Sequence, residues 1–211
     1  MVNEYTIGQI RDNEWYQVAE LIAQVIPNAL ISKLGNRFGA AYYHKIVEQE
    51  YSCGYAARDE SDNILGVIVG TMDYPKVRSI AFKEQLPKLL IAANFRLLGW
   101  SVIKWVIKGV LVKGSREKQD HTDRPVAKLI AIALYSKARG TGLARKLVEK
   151  MEKYMVSKGL CEPYTILTEE ANVRANKFYE KIGATFVRTN LHHGREINEW
   201  YKEMNVTKKD E

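Results

Sequence analysis

The residues best suited to chemistry lie in one short basic turn, Tyr135-Ser136-Lys137-Ala138-Arg139-Gly140-Thr141-Gly142. Gly140 and Gly142 carry no Cβ, so an anion can approach their main chain closely. Lys137 and Arg139 add positive charge. If the turn joins a strand to the start of a helix, free N–H groups and the positive end of the helix dipole converge on one point. That is the chemistry of a phosphate cradle. The Walker pattern Gly-x-x-x-x-Gly-Lys-Ser/Thr and the dinucleotide pattern Gly-x-Gly-x-x-Gly are both absent. Taken alone, an Arg-Gly-x-Gly turn suits an ordinary strand-to-helix connection equally well.

Other reactive residue types read more simply. Asp59 and Glu60 fall in the polar run 59–63 between two apolar segments, as turn residues rather than an acid–base pair. Cys53 and Cys161 have no CxxC spacing, and the adjacent His192 and His193 lack further ligands at metal-binding intervals, so no metal is expected. His121, in the polar run 114–124, reads as a solvated side chain.

The turn is flanked by the elements it needs. Residues 127–134 form a nearly continuous apolar run of strand length, as in a strand buried on both faces. After the turn, Leu143, Leu147, Met151 and Tyr154 recur at helical spacing, with an Arg145–Glu149–Lys153 ladder on the charged side. A β-rich run, 164–168, is followed by a helical face of Ala175, Phe178, Tyr179 and Ile182. Upstream, 5–10 reads as a strand, and Asp12 or Asn13 is expected to cap a helix that Pro27 ends. A second helical stretch, 30–50, is interrupted by Gly35 and Gly39, giving two short helices or a kinked one. Hairpins are expected from 54–58 with 64–70, and from 185–188 with 197–204. The alternation predicts an α/β fold.

Two stretches resemble signatures of the GNAT N-acetyltransferase family. Lys137-Ala138-Arg139-Gly140-Thr141-Gly142 is similar to the family's pyrophosphate loop, Gln/Arg-x-x-Gly-x-Gly/Ala, with lysine where glutamine or arginine is usual. Asn172, Ala175, Tyr179 and Gly183 resemble the later signature Asn-x-x-Ala-x-x-x-Tyr-x-x-x-Gly-Phe, with Ala184 and Thr185 inserted before Phe186. The likeness covers residues 127–204 well and the first half by element order.

The resemblance implies a single GNAT-like α/β domain over residues 1–211, with a frayed tail at 205–211. Its mixed, twisted sheet would be splayed between strands 4 and 5, which end at Leu134 and Thr168, with flanking helices. It implies transfer of an acetyl group from acetyl-CoA to a primary amine, by direct attack in a ternary complex. Lys137, Ala138, Arg139, Gly140, Thr141, Gly142 and Leu143 would hold the pyrophosphate. A bulge near Ala133 and Leu134 would turn a main-chain N–H to the thioester carbonyl, where negative charge grows in the transition state. Asn172 would orient the pantetheine arm or the strand end. Tyr179 would contact the donor and protonate the departing thiolate, uphill by only about 2 kcal/mol for a phenol near 10 and a thiol near 8.5. A core aromatic is the plain alternative for Tyr179. A lysine-like acceptor needs about 4–5 kcal/mol to deprotonate at pH 7, so a base or water relay is expected. No carboxylate lies in 129–134, and Glu169 and Glu170 are low-ranked substitutes.

Against the family pattern, residues 75–123 form a helical insert before the 127–134 strand. Its core, 86–113, carries Trp100, Trp105 and five basic residues (Lys88, Arg96, Lys104, Lys108, Lys113) but no acid. Two helices joined near Gly99 are expected, too broken by charge to span a membrane. Plain packing on the domain, a wall of the acceptor site, a dimer surface and a basic membrane-surface helix compete, with the wall preferred to the dimer.

The 211 residues, 46% hydrophobic and 27% charged, suit a globular chain with a substantial core. A net charge of +7 and pI near 9.2 fit an anionic ligand, though a solvated basic exterior explains them as well. The expected partners are acetyl-CoA and a small-molecule amine, with the protein a monomer or homodimer. Nucleic acid is not expected, and membrane-surface contact through the insert is not favoured. Cysteine usage and the mixed residues 1–10 fit a cytoplasmic protein. Three other readings stay open: a catalytically silent acyl-CoA-binding or regulatory module, a protein N-acetyltransferase, and a basic surface binder.

Overall fold

The computed structural model describes residues 4–92, 125–192 and 194–204. Seven strands form one sheet: β1 (Thr6–Gln9), β2 (Ser52–Arg58), β3 (Ile64–Thr71), β4 (Lys128–Leu134), β5 (Tyr164–Glu169), β6 (Thr185–His192) and β7 (Arg195–Lys202). Their order is β1-β2-β3-β4-β5-β7-β6. Among the described residues only β4 and β5 pair in parallel; every other neighbouring pair is antiparallel. The helices are α1 (Trp15–Val25), α2 (Leu30–Lys33), α3 (Asn36–Val47), α4 (Tyr74–Ala92), α5 (Leu143–Ser157) and α6 (Val173–Lys181).

Two cores sandwich the sheet. On one face Val18, Leu21 and Ile22 of α1 and Phe38, Tyr42 and Ile46 of α3 pack on Val67, Val69, Ala131 and Ala133. On the other, Leu147, Met151 and Met155 of α5 pack on Leu65 and Ile68, joined by Tyr164, Ile166, Tyr179 and Trp200. Every residue of β2 and β3 is therefore buried. Gly70 allows α5 to cross β3, because a Cβ there would stand 2.4 Å from Met151 Sδ.

The expected mixed sheet, flanking helices and hairpins are present. The expected cap of α1 is not: neither Asp12 nor Asn13 caps it, because a 3-10 turn, Asp12–Glu14, precedes the helix. The Glu14 carboxylate instead accepts from Arg11 N–H at 2.7 Å and from Arg58 Nε at 2.7 Å. Arg58 also donates to the carbonyl of Gln9 at 2.9 Å, tying β1, α1 and β2 together. Burial pushes the Glu14 carboxyl up, but the hydrogen bonds from Arg58 and Arg11 prevail and hold it below its ordinary value. Glu14→Gln leaves the buried Arg58 cation with only the more distant Asp62, 4.0 Å away, and is expected to cost about 3 kcal/mol in urea unfolding. A depressed folded-state value stabilises above the unfolded carboxyl's pKa. That gain is lost as pH falls through the folded value, so the gap between variant and wild type narrows in acid.

The 30–50 stretch is two helices broken at Gly35, while Gly39 stays inside α3, where a Cβ would lie 3.1 Å from that of Ala19. Of the insert, α4 packs on α3 through Phe82, 5.2 Å from Tyr42 and 6.2 Å from Phe38, and through a 2.9 Å Lys45–Glu84 ion pair. The expected junction near Gly99, Trp100, Trp105, His121, His193 and the 205–211 tail lie outside the described residues. Among those described, no helix is long and apolar enough to cross a membrane.

Candidate active site

The parallel strands β4 and β5 pair only at Lys128↔Thr165 and Leu129↔Ile166, and then part. The register of β4 against β3 shows why. Gly70 pairs with Leu129 and Val69 with Ala131, leaving Ile130 as an extra residue in β4. A bulge bends its strand, and this one follows directly on the last β4–β5 pair. The expected bulge near Ala133 and Leu134 is corrected by that register, since those residues pair regularly with Val67 and Gly66. Nothing in an Ile-Ala-Ile-Ala run marks which residue will be extruded. Meanwhile β5 stays straight on its other neighbour, paired with β7 from Tyr164↔Lys202 to Glu169↔Ile197. The edge of β4 from Ile130 to Leu134 is thus left without a strand partner, a slot lined by main chain that includes Ala133 and Leu134.

At the open end of that slot lies the basic turn. After a 3-10 turn, Ser136–Ala138, Gly140 and Gly142 take left-handed conformations, with φ 79° and 83°. Nothing lies within 4 Å of where a Cβ on either would stand. Thr141 Oγ1 closes the loop by donating to the carbonyl of Ala138 at 2.8 Å, and Arg139 Nε donates to that of Leu134 at 3.3 Å. Helical bonding starts only at Lys146 N–H, which donates to Gly142 O. Among the described residues, the main-chain N–H groups of residues 140–145 have no protein acceptor. They gather at the positive end of α5. Lys137 lies 3.3 Å from Asp59 in the β2–β3 turn. This solvent-exposed pair is weak enough to give way to a phosphate. Ala138 and Leu143 point inward and are buried in the α5 core.

Tyr179 belongs to that same core, as do Ala138 and Leu143, with Leu134 packed against it. Burial pushes its phenol well above the ordinary value, and among the described residues its hydroxyl has no hydrogen-bond partner. Asn172 is the cap of α6: its Oδ1 accepts from Ala175 N–H at 3.1 Å, and its own N–H donates to Glu169 O at 3.0 Å.

Asn176 escaped the sequence reading, although it lies one turn beyond Asn172 on the same helix. Its Nδ2 donates to the carbonyls of Glu169, Glu170 and Asn172, at 3.0, 2.9 and 3.1 Å. Its Oδ1 accepts from Asn198 Nδ2 at 3.1 Å and Trp200 Nε1 at 3.2 Å. One carboxamide therefore locks the end of β5 to α6 and β7 while β4 bends away. Asn176→Ala strands these groups and is expected to cost about 1–3 kcal/mol in thermal unfolding. Glu169, at the same strand end, accepts from Arg195. Among the described residues, no cluster of His, Cys, Asp or Glu could hold a metal ion.

The model of the family described as acetyltransferase (GNAT) matches residues 26–184. No curated protein matches the chain. Solved structures share the fold at low identity. The crystal structure of SsHAT is 16% identical with a TM-score of 0.63, over 95% of this chain and 98% of that one. Arabidopsis thaliana NAA60 in complex with a bisubstrate analogue is 13% identical with a TM-score of 0.60, over 96% and 99%. A chimera of the spermidine N-acetyltransferase SpeG from Vibrio cholerae and hSSAT is 11% identical with a TM-score of 0.58, over 96% of each chain. With a parallel pair that opens beside a glycine turn, and a family model matching most of its length, this chain belongs to the GNAT acetyltransferase family.

Proposed function

We propose that the protein is an N-acetyltransferase that moves an acetyl group from acetyl-CoA to the primary amine of a small molecule. The observation that carries this reading is the juxtaposition of the β4 slot with the free N–H groups of residues 140–145. The slot suits a narrow amide-containing arm, and the turn suits its pyrophosphate, with Lys137 and Arg139 adding charge. Ala133 and Leu134 would border the thioester, and Tyr179 would return a proton to the thiolate. Asn172 and Asn176 would act as positioning residues by holding the far wall of the slot.

The atoms balance without a covalent enzyme intermediate. The amine nitrogen forms a bond to the acetyl carbon, the C–S bond breaks with its electron pair on sulfur, and sulfur takes a proton. The proton that sulfur takes comes from Tyr179, and the proton that the neutral amine nitrogen loses passes through a base or solvent and restores the phenol. The free thiols of Cys53 and Cys161 accord with a cytoplasmic setting. A silent acyl-CoA-binding module is the second reading, favoured by the lack of any carboxylate on β4.

Calorimetry with acetyl-CoA, and release of free thiol from it with a panel of amines, test both. Binding with amine-dependent thiol release is expected. Binding without release for any amine selects the silent module, and no binding removes both readings.

A further inference from the structure

The C-terminal half of the sheet has a face turned away from α6. Tyr164, Ile166 and Trp200 pack into the α5 and α6 core, and side chains alternate along a strand. Leu167, Glu169, Arg195 and Ile197 therefore project from the opposite face. Glu169 ends β5, beyond the point where β4 has parted from it, and Arg195 opens β7. Arg195 Nη1 donates to Glu169 Oε1, and the two side chains keep 33% and 29% of their surface exposed. Their backbones are held firmly: Glu170 N–H donates to Glu196 O at 2.9 Å, and Asn176 grips the carbonyls of Glu169 and Glu170. His192, opposite Arg195 in the β6–β7 ladder, borders the pair.

We infer that this pair reads the acceptor, and that the acceptor is a small zwitterionic amine bearing a carboxylate close to the amine that is acetylated. The inference rests on the N-acetyltransferase reading. A part-exposed ion pair stabilises a fold little, yet this one is anchored at the open end of the slot. The contact uses one oxygen of Glu169 and one nitrogen of Arg195, so among the described residues each keeps hydrogen-bonding capacity toward solvent. Arg195 suits a carboxylate through two parallel N–H donors. Glu169 suits the ammonium group. A polycation drawn to Glu169 meets the positive charge of Arg195, and a plain anion at Arg195 meets Glu169. Only a ligand of both signs satisfies both, so the pair selects by repulsion as well as attraction.

The test compares glycine, β-alanine and L-glutamate with their methyl esters and with spermidine, by thiol release from acetyl-CoA with the full chain. For at least one acid, kcat/KM is expected to exceed that of its ester by about tenfold or more. Arg195→Gln should remove that difference chiefly through KM, with acetyl-CoA affinity unchanged by calorimetry. Arg195→Lys, which keeps the charge and loses the fork, should retain part of it. Esters or spermidine used as well as every acid would overturn the inference, as would undiminished discrimination in Arg195→Gln. So would bound acetyl-CoA with no acid acetylated. Failure of the wild type to bind acetyl-CoA is a separate result, against the enzymatic reading itself.

Discussion

Replacing Tyr179 by phenylalanine is expected to lower turnover by about 10²–10⁴-fold, with acetyl-CoA affinity near its wild-type value. Phenylalanine keeps the ring in the core it shares with Ala138, Leu143 and Met151, and removes only the hydroxyl that carries the proton. Burial raises the phenol's pKa, which by itself would weaken it as an acid. The thiol it serves would be buried as well. Cys53, in the same core, shows the direction of that effect: burial pushes its thiol up. Burial acts on both groups in one direction, and an ordinary phenol and an ordinary thiol differ by only about 2 kcal/mol. That its hydroxyl has no hydrogen-bond partner among the described residues suits this role, since a hydrogen bond to protein would have to break before the proton moved. Steady-state kinetics of thiol release, with calorimetry on the same variant, checks it. A wild-type turnover number in Tyr179→Phe would return the residue to a packing role.

Gly142→Val is expected to weaken acetyl-CoA binding by about 10²-fold through loss of space at the cradle, while backbone strain of up to about 3 kcal/mol lowers stability. Gly142 sits at φ 83° and ψ −6°, a conformation that a β-branched residue adopts at a cost. The added side chain would also enter the open space above the N–H groups of residues 140–145. Strain and obstruction are separated by Gly159, which has φ 86° at the other end of α5 and equally open surroundings. Gly159→Val carries the same backbone penalty without touching the turn. It should lower the melting temperature comparably and leave affinity intact. Equal affinities in the two variants would show that the turn does not hold the donor.

The elements around the site were legible because their signals are local. The turn at residues 135–142, the helical face of α5 and the apolar run of β4 lie within one continuous stretch, and so does the spacing from Asn172 to Tyr179. Backbone preference and burial periodicity act within a few residues, and those preferences agree with the fold here. The β2–β3 hairpin was visible for the same reason. Helix starts were less so. The α1 end looked like an ordinary polar cap, but no side chain caps it: the Glu14 carboxylate instead closes the preceding 3-10 turn on Arg11 N–H and is drawn in by Arg58, 44 residues away.

What the chain alone determined is the set of elements, the basic, glycine-bearing composition of the turn between β4 and α5, and the place of Tyr179 on an inward helical face. Tertiary structure decided where β4 bulges, that β5 stays with β7 when β4 leaves it, and which polar side chains meet at the opening. Asn176 reaches Asn198 and Trp200 over 22 and 24 residues, and Arg195 reaches Glu169 over 26. Such contacts arise from strand order and register, because a one-residue change of register would turn these side chains to the other face. An alternating Ile and Ala run carries no local preference for the position of a bulge. Its position shows only in the pairing with β3, which leaves Ile130 as the extra residue, packed against the core built by α1 and α3.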